Sequence, residues 1–554
     1  MAALTPAVVA PSTWRERAIV VVLAFALTTA LTVPTVPRFL TSGRLDTGDG
    51  RFSIWNVAWV AHAIVDAPRQ LFDANIFFPH SSTLTYSELN LVAGALAAPV
   101  YAATRNAIAA HNSAVVAALM ISFLAMWALI RRLTGSSRAG VVAATGYTFC
   151  AYTSAHTAEI QLLMIFGFPL VMLAFHQAAT RKRMSDGVLL GGALAVTALG
   201  CGYYGVFAAA VVALAGLLWA KRERAYWTAL GVGIVTSVVL VAPVVVPYLR
   251  DRAAAGAVTR RSVDELRDYS ADWRAYLTSG TTLDAMWGPA LYRGAGTFNE
   301  VLFPGIIVSA LAAVGCVDVI RRRDREETRL VLGYLCIAGL AAWASFGPSL
   351  GLYDVLRVIP GATMLRAPSR LGIVVTFALA VIAAFGYRRI ERGRSVLVAL
   401  VVAGLVAELW VPWPLRTMPP PPRAYEMLAM LPRGGVVEFP FAYDPRDFHN
   451  QTWAMLRSTS NWQPLVNGYS DFTPPDYYDL ALPITAFPDP VSFDLLKKLD
   501  VRYVIVRVAD FQGEARDRLL ARFPPYDAYL HRLTADHDVW LYEIVAWPPG
   551  SHRS

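Results

Sequence analysis

Between Leu45 and Glu88 the chain gathers side chains able to do acid–base chemistry: Asp46, Asp49, Asp66 and Asp73 precede Glu88, with His62, His80, Trp55 and Trp59 among them. A second polar stretch, Thr153–Gln161, holds His156 and Glu159 three residues apart, so one helical turn would bring them to the same side. They read as a base with its orienting partner, as metal ligands, or as a polar helix end. A third stretch, LRAPSR, carries Arg366 and Arg370. A guanidinium is permanently charged and offers a planar fork of donors, so an arginine pair beside a membrane suits a lipid phosphate. The same pair could equally snorkel towards headgroups in general.

The elements that must position these groups are set by composition. The 554 residues are 56% hydrophobic and 16% charged, with a mean hydropathy of +0.44. That is far outside the range of an ordinary soluble domain. A helix needs about 20 apolar residues to cross a bilayer, and many stretches before Pro414 approach that length. From Pro414 onward there are 14 Lys and Arg against 17 Asp and Glu, which leaves 35 against 23 for the preceding part. The basic excess therefore belongs to membrane topology and not to nucleic-acid binding. Cys150, Cys201, Cys316 and Cys336 all fall in apolar segments, so no disulfide framework or CxxC metal site is available.

Placing the arginine clusters (131–132, 181–183, 221–224, 321–325, 388–394) in the cytoplasm predicts about 11 spans. These fall at 18–36, 112–131, 138–155, 160–180, 187–203, 204–220, 226–248, 300–320, 329–347, 370–388 and 395–414. Residues 1–414 then form a transmembrane domain with a cytoplasmic N-terminus. Its first outer loop, 37–111, carries interfacial helices, Leu89–Ala103 among them, and 249–299 is a large outer loop. Pro419–Pro422 stiffens a linker over 415–434. Residues 435–554 are expected to be an extracytoplasmic α/β domain, with strands at Gly435–Phe439, Val501–Val508 and Val539–Val545 and helices at Asp494–Leu499 and Gly513–Phe523.

A charge in mid-membrane is costly, so chemistry is expected where acidic groups collect at the outer ends of spans: Asp49, Glu88, His156 and Glu159. Asp49 sits in Gly48-Asp49-Gly50, which permits a sharp turn. The spacing of Phe52, Trp55, Trp59 and Ala63 predicts an amphipathic interfacial helix after it. Asp49 could cap that helix, face a ligand, or do both. Asp46 and Asp73 read as turn and cap residues. Tyr203 and Tyr204 suit an aromatic belt better than a sugar platform. No P-loop, GxGxxG, HExxH or GxSxG pattern occurs in a credible context. Asp444, Asp447 and His449 read as a polar loop.

This layout resembles the GT-C glycosyltransferases, multispan enzymes that take sugars from polyprenyl-phosphate donors. Asp49 matches their first-loop carboxylate, and His156 with Glu159 the second acidic loop. The strings FDANIFFPHSSTLTYSE, LRAPSR, VEFPF and PLVNGYSDF are similar to those of bacterial multispan proteins grouped with that class. The resemblance implies an inverting transfer in the cytoplasmic membrane, on its extracytoplasmic side, to an envelope glycan, lipid or protein, with Asp49 as base. It implies that Glu88, His156 and Glu159 orient Asp49 or bind the acceptor or a metal, and that Arg366 and Arg370 hold the phosphate. Trp55, Tyr203 and Tyr204 are further candidates for substrate contact. It admits a divalent cation without requiring one. The alternative is a non-catalytic GT-C-like protein that transports, flips or scaffolds envelope lipids or glycans. A path of mid-membrane ionisable groups would mark a transporter, and only His176 and Glu408 interrupt the apolar spans. A receptor or adhesin would need repeats or disulfides in the C-terminal region.

Overall fold

Helices occupy every segment expected to be apolar and helical, and their polar ends sort into two groups. The computed structural model describes residues 12–254, 262–281, 283, 301–322, 324–351, 365–391, 395–536 and 538–549. Residues 255–261, 282 and 284–299 of the outer loop expected over 249–299 lie outside these residues. The helices are α1 (Trp14–Leu31), α2 (Gly48–Asp66), α3 (Leu91–Thr104), α4 (Ala107–Thr134), α5 (Ser137–Thr148), α6 (Ala151–Ala155), α7 (Gly167–Arg181), α8 (Met184–Gly200), α9 (Gly202–Leu218) and α10 (Arg224–Ala254). After α11 (Val263–Asp268) come α12 (Ile306–Arg322), α13 (Arg325–Ser345), α14 (Gly372–Glu391) and α15 (Ser395–Leu409). Among the described residues, α4, α10, α13 and Pro368–Glu391 are long and apolar enough to cross a membrane by length and composition. The protein is a polytopic helical membrane protein.

Local chemistry explains the helix ends. Asn106 caps α4 by accepting from the Ala109 amide at 3.0 Å, and the helix stops at Gly135, whose φ of 74° suits a residue without a side chain. Between helices, small residues allow backbones to touch. A Cβ on Gly386 of α14 would lie 1.9 Å from the Leu311 carbonyl oxygen of α12, and one on Gly187 of α8 would lie 2.3 Å from the Ala229 carbonyl oxygen of α10. Glu408, near the end of α15, accepts from the backbone amides of Ile306 and Ile307 and so caps α12 across space. His176 is buried with its Nε2 2.9 Å from the Tyr334 hydroxyl. These two ionisable groups are thus satisfied by neighbours and form no path.

The ends of α4 and α14 define the poles. Their C-termini carry Arg131 and Arg388-Arg389, and ion pairs gather there: Arg131 with Glu16 at 3.2 Å, Arg389 with Asp318 at 2.9 Å, and Arg138 with Glu391 at 3.0 Å. Their N-termini face the first loop and the C-terminal region.

Several expectations are corrected. The span expected at 138–155 ends at Thr148, and the one expected at 160–180 begins only at Gly167. The intervening segment folds back into the protein, where Ile160, Leu162, Leu163 and Ile165 are fully buried. Apolar residues that pack inside cannot be told by composition from those that face lipid. The helix α2 begins at the Gly-Asp-Gly itself and is buried almost all round, with Trp55 and Trp59 at 1% and 2% exposure. It is a core helix covered by the C-terminal region, and not an amphipathic helix lying on a membrane.

The C-terminal region contains β3 (Gly435–Phe439), β4 (Val501–Arg507), β5 (Leu530–Asp536) and β6 (Val539–Ile544) in the order β3-β4-β6-β5. β3 and β4 are parallel and the other pairs antiparallel. β5 was not expected, because LHRLTAD is a polar edge strand with little alternation. Flanking helices are α16 (Arg423–Met430), α17 (Thr452–Ser458), α18 (Pro475–Ile484), α19 (Pro490–Lys498) and α20 (Glu514–Arg522). The stretch before the prolines is tied down: β2 (Arg416–Thr417) pairs antiparallel with β1 (Ser42–Gly43).

The join between this region and the first loop is polar and buried. The Arg51 guanidinium, on α2, donates to the Leu45 carbonyl at 2.7 Å and to Thr452 of α17 at 2.9 Å, and stacks on Trp453. Asn75 donates to Ser458 and to the Gln463 carbonyl, both at 3.0 Å, and accepts from the Trp55 indole at 3.1 Å. The ring of His62 lies parallel to that of Trp462, with centroids 4.9 Å apart. Removing one partner from a buried network strands the others. Asn75→Ala is therefore expected to cost about 1–3 kcal/mol, read as a lower denaturation midpoint of the full chain in detergent.

Candidate active site

The first carboxylate is placed by the start of α2. Thr47 supplies the cap, its hydroxyl accepting from the Gly50 amide at 3.1 Å. Asp49 therefore is not the N-cap; it sits in the first turn with its side chain exposed, a favourable position for an anion. The flanking glycines serve close approach more than turning. A Cβ on Gly50 would meet the Arg44 carbonyl oxygen at 2.1 Å, and one on Gly48 would meet the His449 Cβ at 2.9 Å.

Asp49 borders a cavity of about 200 Å³ at the pole away from the basic collar. Six of the residues singled out from the sequence line it together: Asp49, Glu88, Glu159, Tyr203, Arg366 and Arg370. They come from five breaks in the helical scaffold: the first turn of α2, the turn before α3, the folded-back segment before α7, the start of α9, and the turn before α14, which supplies both arginines. Glu88 accepts from the Gly202 amide at 3.4 Å. The Tyr203 hydroxyl accepts from the Arg366 amide at 2.9 Å, while its ring lies under the Arg370 guanidinium at 4.4 Å. Arg366 stacks on Tyr269 at 4.7 Å.

Three candidates do not line the cavity. Trp55 is buried on the other face of α2, fastened to Asn75. Tyr204 points into the core, donating to the Leu162 carbonyl at 2.8 Å. His156 donates from Nδ1 to the Tyr152 carbonyl at 2.8 Å and stacks on that ring at 4.0 Å. Among the other sequence carboxylates, Asp46 pairs with Arg44, Asp66 pairs with Arg105, and Asp73 accepts from the Ser82 amide.

Sequence reasoning missed the C-terminal contribution. Tyr469, Ser470 and Asp471 complete one wall, and the Tyr469 hydroxyl lies 3.5 Å from Asp49. Arg252, at the end of α10, donates to the Thr85 carbonyl and to Asp471, both at 3.3 Å. Arg252 had a readable signal as a charge directly after an apolar span; Asp471 lies in the string PLVNGYSDF, whose local pattern does not mark it as a partner for arginines.

The electrostatics are uneven. Arg370 is buried, and its Nε has no hydrogen-bond partner among the described residues. A buried cation is costly unless an anion meets it, and Arg370 lines the cavity. Burial pushes the Glu159 carboxyl up to about 7, with Arg370 pulling the other way and Asp49 adding to the rise. Burial raises Glu88 too, opposed by the Gly202 amide and Arg370. Burial lowers His156 to about 3, so its imidazole is neutral. No three His, Cys, Asp or Glu side chains among the described residues group to hold a metal ion.

The raised Glu159 has a consequence for stability. Between its ordinary 4.5 and about 7 the folded chain keeps a proton that the unfolded chain has lost, so stability falls as pH rises through that window. The unfolding midpoint of the wild type is expected to drop from roughly pH 5 to pH 8 more than that of Glu159→Gln, measured by thermal unfolding in detergent.

No family model and no curated protein matches the sequence. Solved structures do match. Arabinofuranosyltransferase AftD from Mycobacteria aligns over 97% of this chain and 42% of its own, at 14% identity and a TM-score of 0.58. The oligosaccharyltransferase of Archaeoglobus fulgidus aligns over 94% of this chain and 72% of its own, at 14% identity and a TM-score of 0.49. ArnT from Cupriavidus metallidurans, solved with undecaprenyl phosphate, aligns over 97% and 100%, at 12% identity and a TM-score of 0.39. The chain spans less than half the length of the arabinofuranosyltransferase, whose likeness is close enough to compare folds. What that likeness shows is architecture: this chain has a GT-C-like membrane fold with a small C-terminal sheet domain.

Proposed function

We propose that this protein is a membrane glycosyltransferase that moves a sugar from a polyprenyl-phosphate donor to a hydroxyl of an envelope glycan, lipid or protein. The observation that carries the reading is Arg370: a buried guanidinium with an unpartnered Nε, lining a cavity that also holds Asp49, Glu88 and Glu159. An anion-seeking cation beside a solvent-reachable carboxylate is the pairing that transfer from a phosphate leaving group requires. GT-C-like architecture, shared with the arabinofuranosyltransferase, agrees with it.

In the proposed step an acceptor hydroxyl attacks the anomeric carbon, its proton passes to Asp49, and the bond from that carbon to the phosphate oxygen breaks. The electron pair leaves on the lipid phosphate, where Arg370 and Arg366 neutralise the charge. Glu159, half-protonated near neutrality, would donate or accept a hydrogen bond to the sugar without adding a second full negative charge. The reaction is a single displacement and inverts the anomeric carbon.

The lipid-linked character of the donor is supported by placement. Tyr248 borders the cavity from α10, whose Val238, Val239 and Val246 are more than half exposed. An isoprenoid tail lying along that face would bring its phosphate to Arg370 at the membrane surface. The basic collar at the opposite pole, which the positive-inside rule assigns to the cytoplasm, supports an extracytoplasmic side for the cavity. The cavity and C-terminal domain would then be extracytoplasmic, in the cell membrane.

In a deletion strain, Asp49→Asn at wild-type expression is expected to leave the envelope glycan profile as the deletion leaves it; full restoration would remove Asp49 as the base. With the purified chain in nanodiscs, Arg370→Met is expected to weaken binding of farnesyl phosphate at least about tenfold, as loss of a charge-assisted contact does. Titration by intrinsic tryptophan fluorescence would measure it.

A further inference from the structure

One carboxylate of the C-terminal domain reaches two arginines of the membrane part. Asp471 Oδ2 lies 3.3 Å from Arg252 Nη2, and its Oδ1 lies 3.7 Å from Arg366 Nη1. The loop bearing it is fixed from three sides. The Phe472 amide donates to the Tyr86 carbonyl at 3.0 Å, the Gly468 amide to the Tyr477 hydroxyl at 3.1 Å, and the Tyr469 hydroxyl approaches Asp49. Arg252 is 7% exposed at its side chain, and Asp471 is the one carboxylate within ion-pair distance of it among the described residues. Arg366, at 32%, stands at the rim.

We infer that Asp471, anchored by Arg252, is a positioning residue of the cavity, holding Arg366 in the orientation that receives a phosphate group. The inference rests on the phosphate site proposed above. Arginine carries large rotamer entropy, and a ligand that must freeze a loose guanidinium loses affinity. The loose 3.7 Å contact lets Arg366 keep donors for a ligand, while the tighter contact to Arg252 anchors the carboxylate. Asp471 also makes the cavity incomplete without the C-terminal domain, although every other arginine and glutamate of the site belongs to the membrane part.

The alternative role for an acid among arginines is to compete with the ligand, and the two roles predict opposite signs. The test uses the full chain in nanodiscs with farnesyl phosphate as probe. Asp471→Asn is expected to weaken binding about tenfold, and Asp471→Glu to recover most of it. In a double-mutant cycle, adding Asp471→Asn to Arg366→Met should cost less than it does in the wild type. Binding by Asp471→Asn equal to or tighter than wild type overturns the inference. If that variant does not fold, Arg366→Lys carries the test: a lysine cannot hold Asp471 and phosphate with one fork, so at least threefold weakening is expected and wild-type binding overturns it. Failure of the underlying site is distinguishable, because Arg370→Met would then bind the probe as wild type does.

Discussion

The structure depends on a buried polar seam between the first loop and the C-terminal domain. Arg51 and Asn75 carry most of it, and each donates to a group hundreds of residues away in the chain. Such groups are costly when half satisfied and directional when fully satisfied. An apolar interface would have held the two parts together in many registers. Donors and acceptors in fixed geometry allow one, and that register brings Tyr469 to Asp49 and Asp471 to Arg366. The site is therefore a product of the seam more than of the membrane helices alone.

The helices contribute by ending in the right places. Asp49, Glu88, Glu159, Tyr203, Arg366 and Arg370 all sit at breaks between helices at one pole, where backbone groups and charges escape the cost of an apolar layer. Those helices are themselves positioned by small-residue contacts such as Gly386 on Leu311 and by the cross-helix cap that Glu408 places on α12. A charge that looks misplaced in an apolar segment thus has a structural use, and chemistry is left to the ends.

This division also explains what could be read from the sequence. Helix positions and most of the sheet were legible because apolar runs and strand patterns are local. Five of the six cavity residues were legible because charge beside a span is rare and has few other causes; Tyr203 read as an aromatic belt residue as readily as a lining one. Trp55, Tyr204 and His156 were misleading for the opposite reason. A buried aromatic that fastens two segments has the same type and the same surroundings in sequence as one that meets a ligand, and only its hydrogen-bond partner separates them. The cap on α2 fell to Thr47, two positions before Asp49, because either residue satisfies the same rule. Asp471 was beyond reach, since its pairing with Arg252 joins positions 219 residues apart. The β5 edge and the folded-back stretch before α7 were missed where polarity or hydrophobicity reported burial and not geometry.

The loop that carries Tyr469 and Asp471 gives the protein a schedule. A chain is made from its N-terminus, and domains fold as they emerge. Every helix of the membrane layer is complete before residue 469 exists. Asp49, Arg366 and Arg370 are consequently in place for a period without the wall that finishes their cavity. The cavity is finished last, with the folding of the C-terminal domain against α2. A truncated or stalled chain would hold the charges of the cavity without its finished shape.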